Sequence, residues 1–267
     1  MGIPKIIHYC WFGHNPKPEL ALKCIASWEQ YCPDYKIIEW NESNVDLNAC
    51  PGYVQKAYAM KKWAFVTDYI RLKVIYENGG IYLDTDVELL KPLDHLLHHR
   101  AFLGCEGTAY VNTGLGFGAE AGFPFLRQNM AVYEQMDPVD KDGTFVSSPC
   151  PHYTTRILKD MGVFFPIEQI VETSDGMVIY PNHFFNPYNW KTKKLHITQE
   201  TVSIHHYSGS WMTEQQRKGY LQRAKSEQIV QRFGKTASKV YEIYFWTKKE
   251  NGGPGFLAWC ARKLGGR

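Results

Sequence analysis

The residues of this chain predict an α/β domain built around a parallel sheet, and three features point to it. An apolar, β-rich start is followed by helical spacing and a second β-rich run, the strand, loop, helix, strand opening of a parallel sheet. A strongly apolar helix then ends at two glycines, directly before a run that alternates apolar and polar positions. Finally, 267 residues of 44% hydrophobic composition bury a full core as one compact domain, expected over residues 1–212.

The first strand is read within Ile3 to Phe12, bounded by Gly13, His14 and two prolines. From Pro18 to Tyr31 the residues Leu20, Cys24, Trp28 and Tyr31 recur at helical spacing, and Tyr35 to Trp40 reads as the second strand. Lys61 to Asn78 is apolar on nearly every side and is therefore expected to be buried; it stops at Gly79 and Gly80, where glycine accepts a left-handed turn. Asp68 and Arg71 interrupt that helix three positions apart, on one face. Ile81 to Leu89 alternates as a strand does, which would project Asp84 and Asp86 to the same side.

Between Ala101 and Phe125 short apolar runs are broken by glycines, and Asn112 to Gly118 reads as strand and loop near a site without the spacing of a dinucleotide fingerprint. Helices are expected over Phe123 to Tyr133 and Tyr153 to Met161, strands over Met177 to Tyr180 and Val202 to Tyr207, and further helix over residues 214–248. The chain has no internal repeat and no low-complexity tract.

The net charge of +3 is too small for a nucleic-acid binder, but it is unevenly placed. Residues 213–267 hold 12 Lys and Arg against 4 Asp and Glu, a surplus of 8 that leaves about −5 on residues 1–212. This basic extension carries Tyr241, Tyr244, Phe245, Trp246, Phe256 and Trp259, and is expected to be mostly helical. It either packs on the domain or lies on an anionic membrane surface. Seven cysteines form no metal-ligand spacing and read as buried thiols in a reducing compartment. With no signal segment and no run of about 20 apolar residues, the expected location is cytoplasmic, with peripheral attachment to the inner face of the plasma membrane as an option.

Chemistry concentrates at three places. Asp84-Thr85-Asp86 sets two carboxylates two residues apart at a strand end, a pattern that holds a hard divalent cation together with the oxygens of a diphosphate. Asp68 and Arg71 form either a buried ion pair or a fork of donors and acceptors for phosphate and sugar hydroxyls; ion pairs of this kind are seldom kept for stability alone. In Ile204-His205-His206-Tyr207-Ser208-Gly209-Ser210-Trp211 a strand-like run meets small residues, and an imidazole there would complete a carboxylate-held cation. Adjacent strand residues face opposite ways, so one histidine lines the site: His206 is preferred, with His205 as the alternative.

Together the stretch Ile3 to Phe12, Asp68-x-x-Arg71, Asn78-Gly-Gly-Ile-Tyr-Leu-Asp-Thr-Asp86 and His-His-Tyr-Ser-Gly-Ser-Trp211 resembles glycosyltransferase family 32, over roughly residues 3–212. The resemblance implies a GT-A type nucleotide-sugar-binding fold, Rossmann-like, with a mixed central sheet flanked by helices and a helical C-terminal tail. It also implies a nucleotide diphosphate sugar, UDP- or GDP-linked, held with Mn²⁺ or Mg²⁺. Trp11 would stack on the base. Asp68 and Arg71 would hold the donor sugar and its phosphates, with Tyr82 beside them in the donor site. Asp84 would contact ribose and sugar hydroxyls, and Asp86 and His206 would bind the metal. Ser210 and Trp211 would reach the diphosphate, and Asn112 the donor or acceptor sugar.

The implied reaction is retaining transfer of a hexose to a saccharide or lipid-linked saccharide acceptor, as in bacterial capsule or lipopolysaccharide synthesis. Two other readings use the same residues: a metal-dependent phosphohydrolase of nucleotide sugars, and a carbohydrate-binding protein without catalysis, which the 15% aromatic content suits.

Overall fold

The computed structural model describes residues 2–189 and 194–209. The chain divides into two compact units, Met1–Ser208 and Gly209–Arg267, and the architecture below is that of the first. The extension at 213–267, with Ser210 and Trp211, lies outside the described residues.

Strand β1 (Ile6–Cys10) leads into helix α1 (Glu19–Tyr31), whose N-cap is Pro18, and back into β2 (Lys36–Trp40), paired in parallel with β1. Cys24 and Trp28 of α1 are fully buried, as their spacing requires. Helix α2 (Gly52–Ala59), which the periodicity does not foretell, precedes α3 (Trp63–Asn78). Eight residues of α3 are buried, Asp68 and Arg71 among them, so the all-round apolar helix lies inside the molecule. It ends where Gly79 and Gly80 both take positive φ, 67° and 106°, and a Cβ on Gly80 would lie only 2.7 Å from the Ile6 carbonyl oxygen. This turn feeds β3 (Gly80–Tyr82) in parallel beside β1.

The expected single strand from Ile81 to Leu89 is broken. β3 stops at Tyr82, a turn closed by the Val87 N–H on the Asp84 carbonyl (3.0 Å) follows, and β4 (Val87–Leu89) joins a different sheet. The chain continues through β5 (Ala101–Glu106), β6 (Tyr110–Val111), β7 (Phe117–Ala119), α4 (Pro124–Glu134), α5 (Cys150–Asp160), β8 (Val171–Glu172), β9 (Met177–Tyr180), α6 (Asn182–Phe185), β10 (Tyr188–Asn189), β11 (Lys194–Leu195) and β12 (Ser203–His205).

The main sheet runs β2-β1-β3-β7-β5-β9-β8, with β6 paired to β5. β2, β1 and β3 are mutually parallel; β7 lies antiparallel to both β3 and β5, which makes β5 and its parallel neighbour β9 run in the direction of β1. The carboxyl ends of β1, β3 and β5 therefore open on one edge. The sheet is mixed, largely parallel and flanked by helices, which is the GT-A type of α/β fold. One core joins α2, α3, α4 and α5 to the sheet, and the other gathers α1 and β4. α1 also fixes the small β4–β12 sheet by hydrogen bonds: Trp28 Nε1 donates to the Val87 carbonyl (2.8 Å), and Ser27 Oγ accepts from Leu89 N–H (2.9 Å).

The six described cysteines are buried free thiols. Among the described residues no helix is long and apolar enough to cross a membrane.

Candidate active site at the carboxyl edge of the sheet

The Asp84–Asp86 turn sits where β3 leaves the main sheet, so the two carboxylates converge through the turn rather than through strand alternation. Asp84 is held from behind. Tyr82 Oη donates to Asp84 Oδ1 (2.9 Å), and Arg71 Nη2 lies 3.4 Å from the same oxygen and 3.1 Å from Asp68 Oδ1. Arg71 is buried, with its guanidinium 5.1 Å from the centre of the Tyr82 ring and its Nε–H on the Thr67 carbonyl (3.1 Å). The guanidinium is thus committed to protein groups and acts as the counter-charge of Asp68 and Asp84. Removing one partner of such a buried set costs about 3–5 kcal/mol, because the remaining charge is stranded.

Burial pushes the Asp68 carboxyl up to about 6 against the pull of Arg71, and pushes Asp84 up by the same balance. Tyr82 is itself buried, its hydroxyl spent on Asp84, so it orients that carboxylate and does not reach outward.

Asp86 faces β12. Its Oδ1 lies 3.1 Å from His205 Nε2, its Oδ2 accepts the Ser208 N–H (2.8 Å), and its carbonyl accepts the His206 N–H (2.9 Å). Burial opposes ionisation of Asp86, but the His205 imidazole and the Ser208 donors outweigh it and hold the carboxyl below the usual range. His205 moves the other way: burial lowers its pKa, and the charges of Asp86 and Asp84 more than reverse this.

The preference for His206 is corrected here. β12 pairs with β4 so that His205 lies opposite Val87 beside the Asp84–Asp86 turn, while His206 Nε2 turns away to Glu88 Oε2 (2.8 Å). Glu88 in turn holds Lys23 at 2.9 Å. The two histidines do face opposite ways, and the pairing of β12 with β4 decides which of them meets the turn.

Asp84, Asp86 and His205 each bring a ligand atom within 4.8 Å of the others. Two carboxylate oxygens and an imidazole nitrogen form a donor set that could hold a divalent cation. His205 Nδ1 is buried without a hydrogen-bond partner among the described residues, a cost of about 1–3 kcal/mol that marks a site a ligand completes. Asp68, Asp84 and Asp86 face one fixed cation, Arg71, so the pocket has negative charge to spare for a divalent ion. The residues fit the metal.

Asn112 comes to the same place from the loop after β6. Its Oδ1 accepts the Gly114 N–H (2.6 Å) and the Cys150 thiol (3.5 Å), and its Nδ2 donates to Glu106 Oε2 (2.8 Å). Gly114 leaves the gap between them: a Cβ there would meet Asp84 Oδ2 at 2.5 Å, Asn112 Oδ1 at 3.0 Å and Arg71 Nη1 at 3.1 Å. Trp11 follows β1 at this edge, half-buried, its Nε1–H on the Asn15 carbonyl (2.6 Å) and Lys17 Nζ 5.9 Å from the ring centre.

Gly114, Glu106 and Cys150 were not singled out from sequence. The glycine-rich run 112–118 and the carboxylate closing the apolar run Phe102 to Glu106 were the available signals for the first two; Cys150 carried none.

Sheet and turn together define the GT-A type of α/β fold. Residues 18–103 match the family described as glycosyltransferase sugar-binding region containing DXD motif, a match that supports the resemblance to the family 32 glycosyltransferases. An inositol phosphoceramide mannosyltransferase of Schizosaccharomyces pombe is 30% identical over 130 residues, 48% of this chain and 36% of that protein. A human alpha-1,4-N-acetylglucosaminyltransferase is 29% identical over 120 residues, 45% of this chain and 32% of that protein. Among solved structures, a protein titled PaToxG glycosyltransferase is 18% identical with a TM-score of 0.48, covering 60% of this chain and 69% of that one. The matched stretch spans about a third of these curated relatives' length.

Proposed function

We propose that the protein transfers a hexose, with retention at the anomeric carbon, from a nucleotide diphosphate sugar to a saccharide or lipid-linked saccharide acceptor. The observation that carries this reading is the convergence of Asp84, Asp86 and His205 within 4.8 Å at the carboxyl edge of the parallel strands, the edge where α/β sheets bind nucleotides. Asp84, Asp86 and His205 would hold a divalent cation there, Mn²⁺ for preference, which would supply charge to stabilise the departing diphosphate. Asp86, kept ionised by its partners, would be the principal ligand, and Asp84 would share its carboxylate between that position and sugar hydroxyls. Arg71 neutralises Asp68 and Asp84 so that three carboxylates coexist in one pocket. Asn112 sets the wall against which the sugar lies, and Trp11 stands at the nucleobase end.

In the proposed reaction the donor's anomeric carbon–oxygen bond breaks as the acceptor oxygen bonds to that carbon. The acceptor proton leaves on the departing phosphate oxygen, which needs no additional base. The donor sugar is left open: one relative is named for mannose and another for N-acetylglucosamine. An acceptor on a lipid goes with a relative named for inositol phosphoceramide and with the basic surplus of residues 213–267. A capsular or lipopolysaccharide glycan is the acceptor class this reading favours.

The test is turnover of a panel of UDP- and GDP-sugars with Mn²⁺, with EDTA, and with Asp86→Ala, followed by the anomeric configuration of the product. Metal-dependent turnover lost in the variant, with a retained product, upholds the reading. Donor cleavage at full rate without any acceptor points to a phosphohydrolase, and an inverted product overturns retention.

A further inference from the structure

We propose that the β5–β6 hairpin carries the acceptor-saccharide subsite, with Tyr110 and His152 as an aromatic platform and Glu106 as the hydrogen-bond acceptor beside it. The inference rests on the transferase reading and gives its second substrate a place. Glu106 and Tyr110 are register partners across the hairpin, and directly opposed residues of an antiparallel pair project to the same face. A carboxylate and a phenol ring therefore stand side by side. Tyr110 is 40% exposed, unlike the buried Tyr53, Tyr69, Tyr82 and Tyr133 of the core. Its ring centre lies 5.0 Å from that of His152, an exposed residue in the first turn of α5.

An open aromatic face next to a carboxylate matches the two surfaces of a sugar. The ring's C–H face packs on the aromatic, and its hydroxyls donate to the carboxylate.

Position ties this platform to the reaction. One oxygen of Glu106 is committed, since Oε2 accepts from Asn112 Nδ2 at 2.8 Å; Oε1 has no protein partner among the described residues. The other end of the Asn112 amide reaches the Gly114 gap, where Asp84 Oδ2 also lies. The order across the edge is Asp84, the Asn112–Gly114 turn, Glu106, Tyr110. A saccharide lying on Tyr110 thus presents its hydroxyls to Glu106, on the side that faces the donor sugar.

The experiment uses the full chain, a panel of p-nitrophenyl hexosides, and the variants Tyr110→Ala, Tyr110→Phe and Glu106→Gln. Saturation-transfer NMR reads glycoside binding, and transfer from UDP- or GDP-sugars with Mn²⁺ reads acceptor KM and kcat; melting temperature checks that each variant is folded. The expected result is a glycoside whose KM rises at least ten-fold in Tyr110→Ala and in Glu106→Gln, with Tyr110→Phe within about two-fold of wild type because the ring face is kept. Wild-type KM in both Tyr110→Ala and Glu106→Gln overturns the subsite and leaves the transferase reading standing. Glycoside binding that depends on Tyr110, in a protein that turns over no donor, upholds the saccharide subsite and overturns the transferase reading. Neither binding nor acceptance of any hexoside by the wild type overturns the subsite.

Discussion

A carbon placed on Gly114 in the side-chain direction would lie 2.5 Å from Asp84 Oδ2, closer than any non-bonded contact allows. The same carbon would press on Asn112 and Arg71, so the empty space at Gly114 is shared by three groups of the candidate site.

Gly114→Ala is expected to displace the Asp84 carboxylate at a stability cost of about 1–3 kcal/mol, the usual range for overpacking a tight interior. Metal-dependent donor turnover should fall at least ten-fold while the melting transition stays cooperative. Turnover kinetics and thermal melts measure both, and unaltered turnover would show that Asp84 does not need its present position.

His205 and His206 should separate cleanly in Mn²⁺ affinity. His205→Ala removes the only imidazole within reach of both Asp84 and Asp86 among the described residues, and affinity should drop by roughly ten- to a hundred-fold or more. His206→Ala breaks a half-buried pair with Glu88, which is expected to change affinity by no more than about three-fold. Titration by electron paramagnetic resonance gives the ranking; the reverse order would return the ligand role to His206.

His8 links acid stability to the geometry behind the site. It is fully buried, its Nδ1 accepting the Trp40 Nε1–H (2.9 Å) and its Nε2–H donating to the Gly79 carbonyl (3.0 Å), an arrangement that requires the neutral ring. Burial lowers its pKa to about 4, only partly offset by the Gly79 bond. Since the folded pKa lies below that of the unfolded chain, the unfolded state takes up the proton first as pH falls. The contribution is present in full above about pH 6.5 and is lost down to pH 4, about 3 kcal/mol over that window. NMR titration of the His8 ring should show a neutral imidazole at pH 5, and a midpoint near 6.5 would refute the coupling.

The helices and strands with strong periodicity were legible before any coordinates. Cys24 and Trp28 recur at helical spacing and are fully buried; α3 is apolar all round and lies inside; Met177–Tyr180 is the strand expected of it. The motif residues Asp68, Arg71, Asp84 and Asp86 could also be nominated, because charged groups in apolar surroundings stand out from local composition, whereas Asn112 was implied only by the family resemblance. What those residues do to one another was not legible. That Arg71 lies between Asp68 and Asp84, and that Asn112 bridges Glu106 and Gly114, depends on β3, β5 and α3 meeting at one sheet edge.

Local pattern determines element type and which positions seek the core, since period and burial are properties of neighbours in sequence. Long-range pairing decides direction and facing. The run Ile81 to Leu89 carries an alternation that suits one strand, yet the tertiary structure divides it between two sheets: β1 and β7 take the first half, β12 takes the second, and the turn between them swings the two aspartates together. The β4–β12 register then selects His205 over His206, a choice between adjacent residues that no local propensity distinguishes.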